Sequence, residues 1–349
     1  MYLPEVISRE SEFIVKNVKI KQSNIVYFIL LIFWSIVGFL YLITLFSTCH
    51  SLDMFFNLSG CKLVSDKQGN KVSYSDSGGF FYMLSDDVVE IWDSRQVSLI
   101  NQISQNGVLR ASISSDEKTL LSDNGNEIIL WDLSSGQPFT HFSGEEIAGS
   151  VFIQDNTIIQ NNLVNEATEM WNWQSEEIIL EIPHFQFSVV SLNKQVIAGK
   201  RETNFEVWNI ESNILERVIE FEDHFPYHLA LSSDGGYLSY LTEKMDVNGS
   251  KFNEIILVDV ESGDTLTSLS APSESISTIS FNPTNTILAA GSVDGAVYFW
   301  DLENNYQLRS LKFNNKERVF DIAFSPINDD VLVGTDRFTA IFSLSDILD

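Results

Sequence analysis

The stretch that decides the fold runs Ile276-Ser277-Thr278-Ile279-Ser280-Phe281, Asn282-Pro283-Thr284-Asn285, Thr286-Ile287-Leu288-Ala289-Ala290-Gly291-Ser292, Asp294-Gly295 and Ala296-Val297-Tyr298-Phe299-Trp300-Asp301. After a polar break at Glu303-Asn304-Asn305 it ends in Gln307-Leu308-Arg309-Ser310-Leu311. Four short apolar or alternating runs with turn chemistry at each join predict a four-stranded antiparallel meander. Asp294-Gly295 suits a tight hairpin because glycine adopts positive φ without strain. Pro283 fixes φ and has no amide to give a ladder, so it belongs in a turn.

One such sheet leaves a face bare, so the unit must recur to bury it. Third-strand endings fall at Trp92-Asp93, Trp131-Asp132, Trp171-Asn172, Trp208-Asn209, Val258-Asp259, Trp300-Asp301 and Phe342-Ser343, at intervals of 39, 40, 37, 50, 42 and 42 residues. Turns between first and second strands recur in phase at Asp76-Ser77-Gly78-Gly79, Ser115-Asp116-Glu117, Asp155-Asn156, Asn193-Lys194, Ser233-Asp234-Gly235-Gly236, Asn282-Pro283 and Ser325-Pro326. The unit resembles a WD40 repeat down to the Trp300-Asp301 ending. That resemblance implies an all-β, seven-bladed propeller over about four-fifths of the chain, with Trp92, Asp93, Trp131, Asp132, Trp171, Trp208, Asp259, Trp300 and Asp301 as blade anchors. The family's Gly-His pair ahead of the first strand is missing from every repeat. The five histidines (His50, His141, His184, His224, His228) fall outside that pattern, and only repeat six keeps Ser292, Asp294 and Trp300 in matching places. The last repeat has room for three strands, and WD40 proteins commonly lend an N-terminal strand to the last blade. The resemblance therefore puts residues 61–65 beside 338–344.

The long interval of 50 is placed in residues 242–254, where a plain hairpin extension outweighs a faint calcium-loop likeness at Asp246-x-Asn248-Gly249-Ser250, too short for an EF-hand. The chain has 349 residues and a net charge of −27. Basic and acidic residues cancel over residues 1–61, four against four, so the repeats carry the whole charge. Such a domain repels phosphate backbones, which argues against nucleic acid and for cationic partners.

Residues 1–24 form a polar tail, 25–46 an unbroken apolar run without a charge, 47–60 a linker and 61–349 the repeat domain. As a helix the 22-residue run would span about 33 Å against a hydrocarbon core of roughly 30 Å, which predicts a single transmembrane helix. Lys16, Lys19 and Lys21 precede it closely, and the next basic residue after it is Lys62. The basic bias predicts a cytoplasmic N-terminus and an extracytoplasmic propeller, the alternative being a cytoplasmic propeller. Cys49 and Cys61, the only cysteines, could close a disulfide loop in an oxidising compartment or remain thiols. Leu58-Ser59-Gly60-Cys61 also resembles a lipobox, though displaced from the apolar run, and Asn57 and Asn248 stand in glycosylation sequons.

No Gly-x-Ser-x-Gly, His-Glu-x-x-His, phosphate-cradling loop or Cys/His cluster at metal spacing occurs. The reading is a membrane-tethered, non-catalytic scaffold that binds protein partners and uses no cofactor or metal. The alternative is an extracytoplasmic propeller that binds a small ligand or metal, or acts as a hydrolase, at the central channel. Turns joining second and third strands bring Asp86, Asp87, Asp123, Glu166, Glu202, Asp246, Asp294 and Asp336 to one rim, a candidate face for basic segments. Asp is also simply favoured in turns.

Overall fold

The computed structural model describes residues 61–348, apart from 144–145, 222–225, 246–248, 250, 274 and 314–316. The tail, the apolar run at 25–46, the linker, Cys49, His224 and Asp246 lie outside the described residues. No helix among the described residues is long and apolar enough to cross a membrane.

Among the described residues twenty-eight strands form seven four-stranded antiparallel sheets. Blades 1 to 6 are consecutive meanders over residues 71–104, 110–143, 147–183, 186–220, 227–270 and 276–312. Blade 7 takes Val319–Phe324, Asp330–Thr335 and Thr339–Ser343 from one end of the repeats and Lys62–Ser65 from the other. Lys62 stands opposite Ile341 and Leu63 opposite Ala340, so an outer edge that would otherwise stay unpaired is covered. A short helix, Leu344–Leu348, follows.

The second and third strands hold most of the buried residues of each blade, and in blade 6 they are buried but for Asp301, as sheets packed on both faces require. Apolar clusters fill the seams between blades: Leu84, Ile91 and Ile103 meet Ile113, Leu120 and Trp131 between blades 1 and 2. Ile159 and Phe185 meet Ile197 between blades 3 and 4. Phenylalanine supplies much of this, with Phe81, Phe152, Phe185, Phe205, Phe299 and Phe342 almost fully buried. At about 25 cal/mol per Å² of apolar surface, each such ring is worth a few kcal/mol against an exposed reference.

The long interval resolves into a hairpin. Tyr237–Met245 and Lys251–Asp259 are both nine residues long and stay paired to Met245 opposite Lys251. Lys251 pairs with Glu243 at 2.6 Å, and Lys244 pairs with Glu254.

Candidate functional site

Within a meander the turns from strand one to two and from three to four share one face of the disc. On it the third-strand Asp anchors cap the turn that follows. Asp93 Oδ1 accepts the amides of Arg95 and Gln96 at 2.9 and 2.7 Å, and Asp301 Oδ1 those of Glu303 and Asn304 at 3.0 and 2.9 Å. Asp132 Oδ1 takes the Ser135 amide at 2.8 Å and Asp259 Oδ1 the Ser262 amide at 2.7 Å. Asn172 and Asn209 do the same through their amide oxygens. The turn needs only an Oδ1 acceptor, which is why Asn replaces Asp in two blades. Hydrogen bonds from Ser134 and Ser135 draw the Asp132 carboxyl down to about 2.

The first-to-second turns on this face are tied to one another around the ring. Ser115 Oγ donates to Asp76 at 2.6 Å, the Asp116 amide to Asp155 at 2.7 Å and the Ser233 amide to Asn285 at 2.7 Å. Lys194 Nζ of blade 4 donates to Asp76 Oδ2 of blade 1 at 2.8 Å. Blades 1 and 4 are not neighbours, so this ion pair crosses the mouth of the central channel.

The opposite face carries the turns from strand two to three. Asp86, Asp87, Glu166, Glu202 and Asp336 are exposed there, with Asp86, Glu166 and Glu202 in left-handed backbone. Asp87 Oδ1 accepts the Gly107 amide at 2.6 Å, and Glu166 lies 3.5 Å from His184 Nδ1. Asp294 is half-buried and accepts from Ser292, which also bonds Ser273 at 2.6 Å; Trp300 sits apart in the blade core. Asp123 does not belong to this exposed rim. It is fully buried, Oδ1 holding the Gly125 amide at 2.7 Å and Oδ2 the Ser150 amide of blade 3 at 3.1 Å, with Arg110 at 3.9 Å. A neighbouring blade's unmatched amide draws it inward, so it staples a seam and is corrected from a partner-binding residue to a structural one. Asn161 and Asn253 staple the next seams in the same way, on the Phe187 and Ile276 amides.

The channel is walled by first strands, and a cavity of about 300 Å³ opens between Val72, Val190, Leu229, Ile279 and Ile322. Its carboxylate, Asp321, already accepts from the Val72 amide and Thr278 Oγ1, both at 3.1 Å, with Lys71 at 3.8 Å. Desolvation and Lys71 hold the nearby His228 imidazole below its usual pKa, against the pull of Asp321. Among the described residues no group of three or more His, Cys, Asp or Glu could hold a metal ion.

Sequence reasoning missed a set of buried carboxylates two residues ahead of the third-strand Trp: Glu90, Glu169 and Glu206 are 2, 5 and 6% exposed. Their recurrence at one position in three repeats was the available signal. Cys61, at the start of the closing strand, is not a free thiol, whereas Cys49 lies outside the described residues.

Comparison with known proteins agrees with this architecture. Residues 263–301 match the WD40 family model, described as WD domain, G-beta repeat. Protein tipD of Dictyostelium discoideum is 22% identical over 72% of this chain and 42% of its own length. Autophagy-related protein 16 of Arabidopsis thaliana is 24% identical over 70% of this chain and 49% of its own. An uncharacterised WD repeat-containing protein of Schizosaccharomyces pombe is 45% identical over 56 residues, 16% of this chain and 19% of its own. The chain thus spans less than half the length of these curated relatives. In fold it is similar to the β-propeller domain of Cps50 (Swd1) from Myceliophteria thermophila, with a TM-score of 0.64 and 15% identity over 80% of this chain and 98% of that one. By fold the described residues form a seven-bladed β-propeller, and one of its repeats matches the WD40 family model.

Proposed function

We propose that the protein is a non-catalytic docking scaffold, tethered to a membrane through residues 25–46, whose face of second-to-third turns receives basic segments of partner proteins. The observation that carries the reading is the state of three of the five cations on those turns, Lys200 and Arg337 being the other two. Arg201 binds Glu206 at 2.8 Å, Lys251 binds Glu243 at 2.6 Å and Lys244 binds Glu254. Those three cations are therefore engaged away from the exposed carboxylates Asp86, Asp87, Glu202 and Asp336. On a chain of net charge −27, a rim of this kind favours encounter with positive partners. A ligand or hydrolytic site in the channel has less behind it, because Asp321 and Asp76, its carboxylates, are already committed to this chain's own donors.

The tether and its direction rest on the apolar run and the lysines ahead of it, which set the N-terminus inside and the propeller outside the cytoplasm. In that compartment a Cys49–Cys61 bridge would lie just ahead of the closing strand. A second reading, a part in autophagy, rests on the name of the Arabidopsis relative, and loss of the protein should then lower autophagic flux.

The test is proximity labelling in intact cells, with the enzyme fused after residue 349 and a membrane-impermeant substrate. Labelled surface neighbours are expected. Labelling only after permeabilisation would overturn the outward topology and the bridge. For the rim, the triple variant Asp86→Asn, Glu202→Gln, Asp336→Asn should recover about tenfold less of the cross-linked partners, with a flatter salt dependence. Undiminished recovery would reject the acidic face as the docking surface.

A further inference from the structure

Three blades carry the same buried carboxylate, and only two of them supply its counter-ion. Glu90 of blade 1 takes Lys67 Nζ at 2.5 Å and Gln102 Nε2 at 2.7 Å. Glu206 of blade 4 forms an ion pair with Arg201 at 2.8 Å and accepts a hydrogen bond from Trp208 Nε1, also at 2.8 Å. Glu169 of blade 3 accepts from three neutral amides, Asn162 Nδ2 at 2.9 Å, Asn165 Nδ2 at 3.1 Å and Gln160 Nε2 at 3.4 Å. Among the described residues no Lys, Arg or His lies within ion-pair reach of it.

Blade 3 has the neutral Asn162 at the strand end where blade 4 has Arg201, and beside Glu169 it has a pocket of about 410 Å³ on its flank toward blade 2, lined also by Gln160, Trp171, Phe142, Val164 and Ile178. Two of these side chains are more than nine-tenths buried and lack a partner for one polar atom: Gln160 Oε1 and Trp171 Nε1. In blade 4 the equivalent indole bonds its glutamate; in blade 3 it does not. A buried acceptor left unmatched is costly, so an incoming donor is worth more there than at the surface. Phe142 meets Trp171 edge to face at 4.7 Å and walls the pocket with aromatic surface, while Val164 and Ile178 lie open to solvent at its rim.

We propose that this pocket receives a basic side chain, arginine before lysine, from a partner protein, which supplies in trans the cation that Lys67 and Arg201 supply within the chain. This rests on the docking reading above and names a site for it. An arginine has donors enough for both Glu169 and Gln160 Oε1, and its planar group stacks on aromatic rings. Its methylene stem would lie along Val164 and Ile178.

The test titrates the full-length protein in detergent with a dye-labelled, end-blocked peptide Ala-Leu-Arg-Leu-Ala and its citrulline twin, read by fluorescence anisotropy. The arginine peptide is expected to bind about tenfold or more tightly than the citrulline peptide, and Glu169→Gln should abolish the difference. Ile178→Lys, which offers the chain's own cation at an exposed rim position, should weaken the arginine peptide by a similar factor and covers the case of a misfolded Glu169→Gln. Equal affinity for the two peptides, no binding of either, or an unaltered preference in folded Glu169→Gln would each overturn the proposal. If Glu202→Gln on the exposed rim removed the preference while Glu169→Gln left it, the pocket would fall and docking on the acidic face would stand. Loss of partner recovery from the rim variant alone would lead to the same division.

Discussion

The two faces of the disc are built from the same kind of turn and end in opposite conditions. On the face of first-to-second turns, polar side chains answer one another from blade to blade, and Lys194 reaches across the channel to Asp76. On the face of second-to-third turns, Asp86, Glu202 and Asp336 point outward without an ion pair among the described residues. The difference shows that turn composition does not decide whether a carboxylate is structural or available. What decides it is whether a neighbouring blade leaves an amide within reach.

The largest effect that could break this comparison lies within the outward face itself. Asp123→Ala would strand the Gly125 and Ser150 amides in a dry seam and should cost about 2–4 kcal/mol in denaturant unfolding, whereas Asp336→Ala at the matching turn should stay within about 0.5 kcal/mol. Equal costs for the two would erase the distinction. Next comes the closed face. Gly235 turns with φ +79, and a Cβ there would meet Val196 of blade 4 at 2.7 Å. Gly235→Ala should therefore cost about 1–3 kcal/mol, measured as a lower unfolding midpoint with an unchanged slope. The smallest effect sharpens the role of the turn anchors. Because Asp132 is held at about 2 when folded, below its ordinary value, its contribution is present above about pH 4 and is lost as pH falls through the folded value. Asp132→Asn keeps the Oδ1 acceptor but not the charge, so it should be somewhat less stable than the native chain at neutral pH and lose less stability than the native chain between pH 4 and 2. A variant as acid-sensitive as the parent would contradict that account.

The fold was readable because its signals are local. A third strand that ends in Asp or Asn caps its own turn two and three residues on, so Trp131-Asp132 and Trp171-Asn172 mark the period without help from elsewhere in the chain. The exposed rim was readable only as a set of turns. Asp123 and Asp336 look alike in sequence, but the Ser150 amide that buries Asp123 belongs to another blade, 27 residues away. The pocket on blade 3 was harder still, since Glu90, Glu169 and Glu206 repeat one position and differ only in whether Lys67, Arg201 or nothing basic arrives from another strand or turn. The calcium-loop likeness and the Asp246 rim position fall on residues outside those described.

The pairing of Lys62 with Ile341 sets an order of events during synthesis. The strand of the ring that leaves the ribosome first finds its partner only when the strand made last has emerged. Six blades can therefore form as meanders while the seventh stands with a bare edge, and the ring becomes a single cooperative body in one late step.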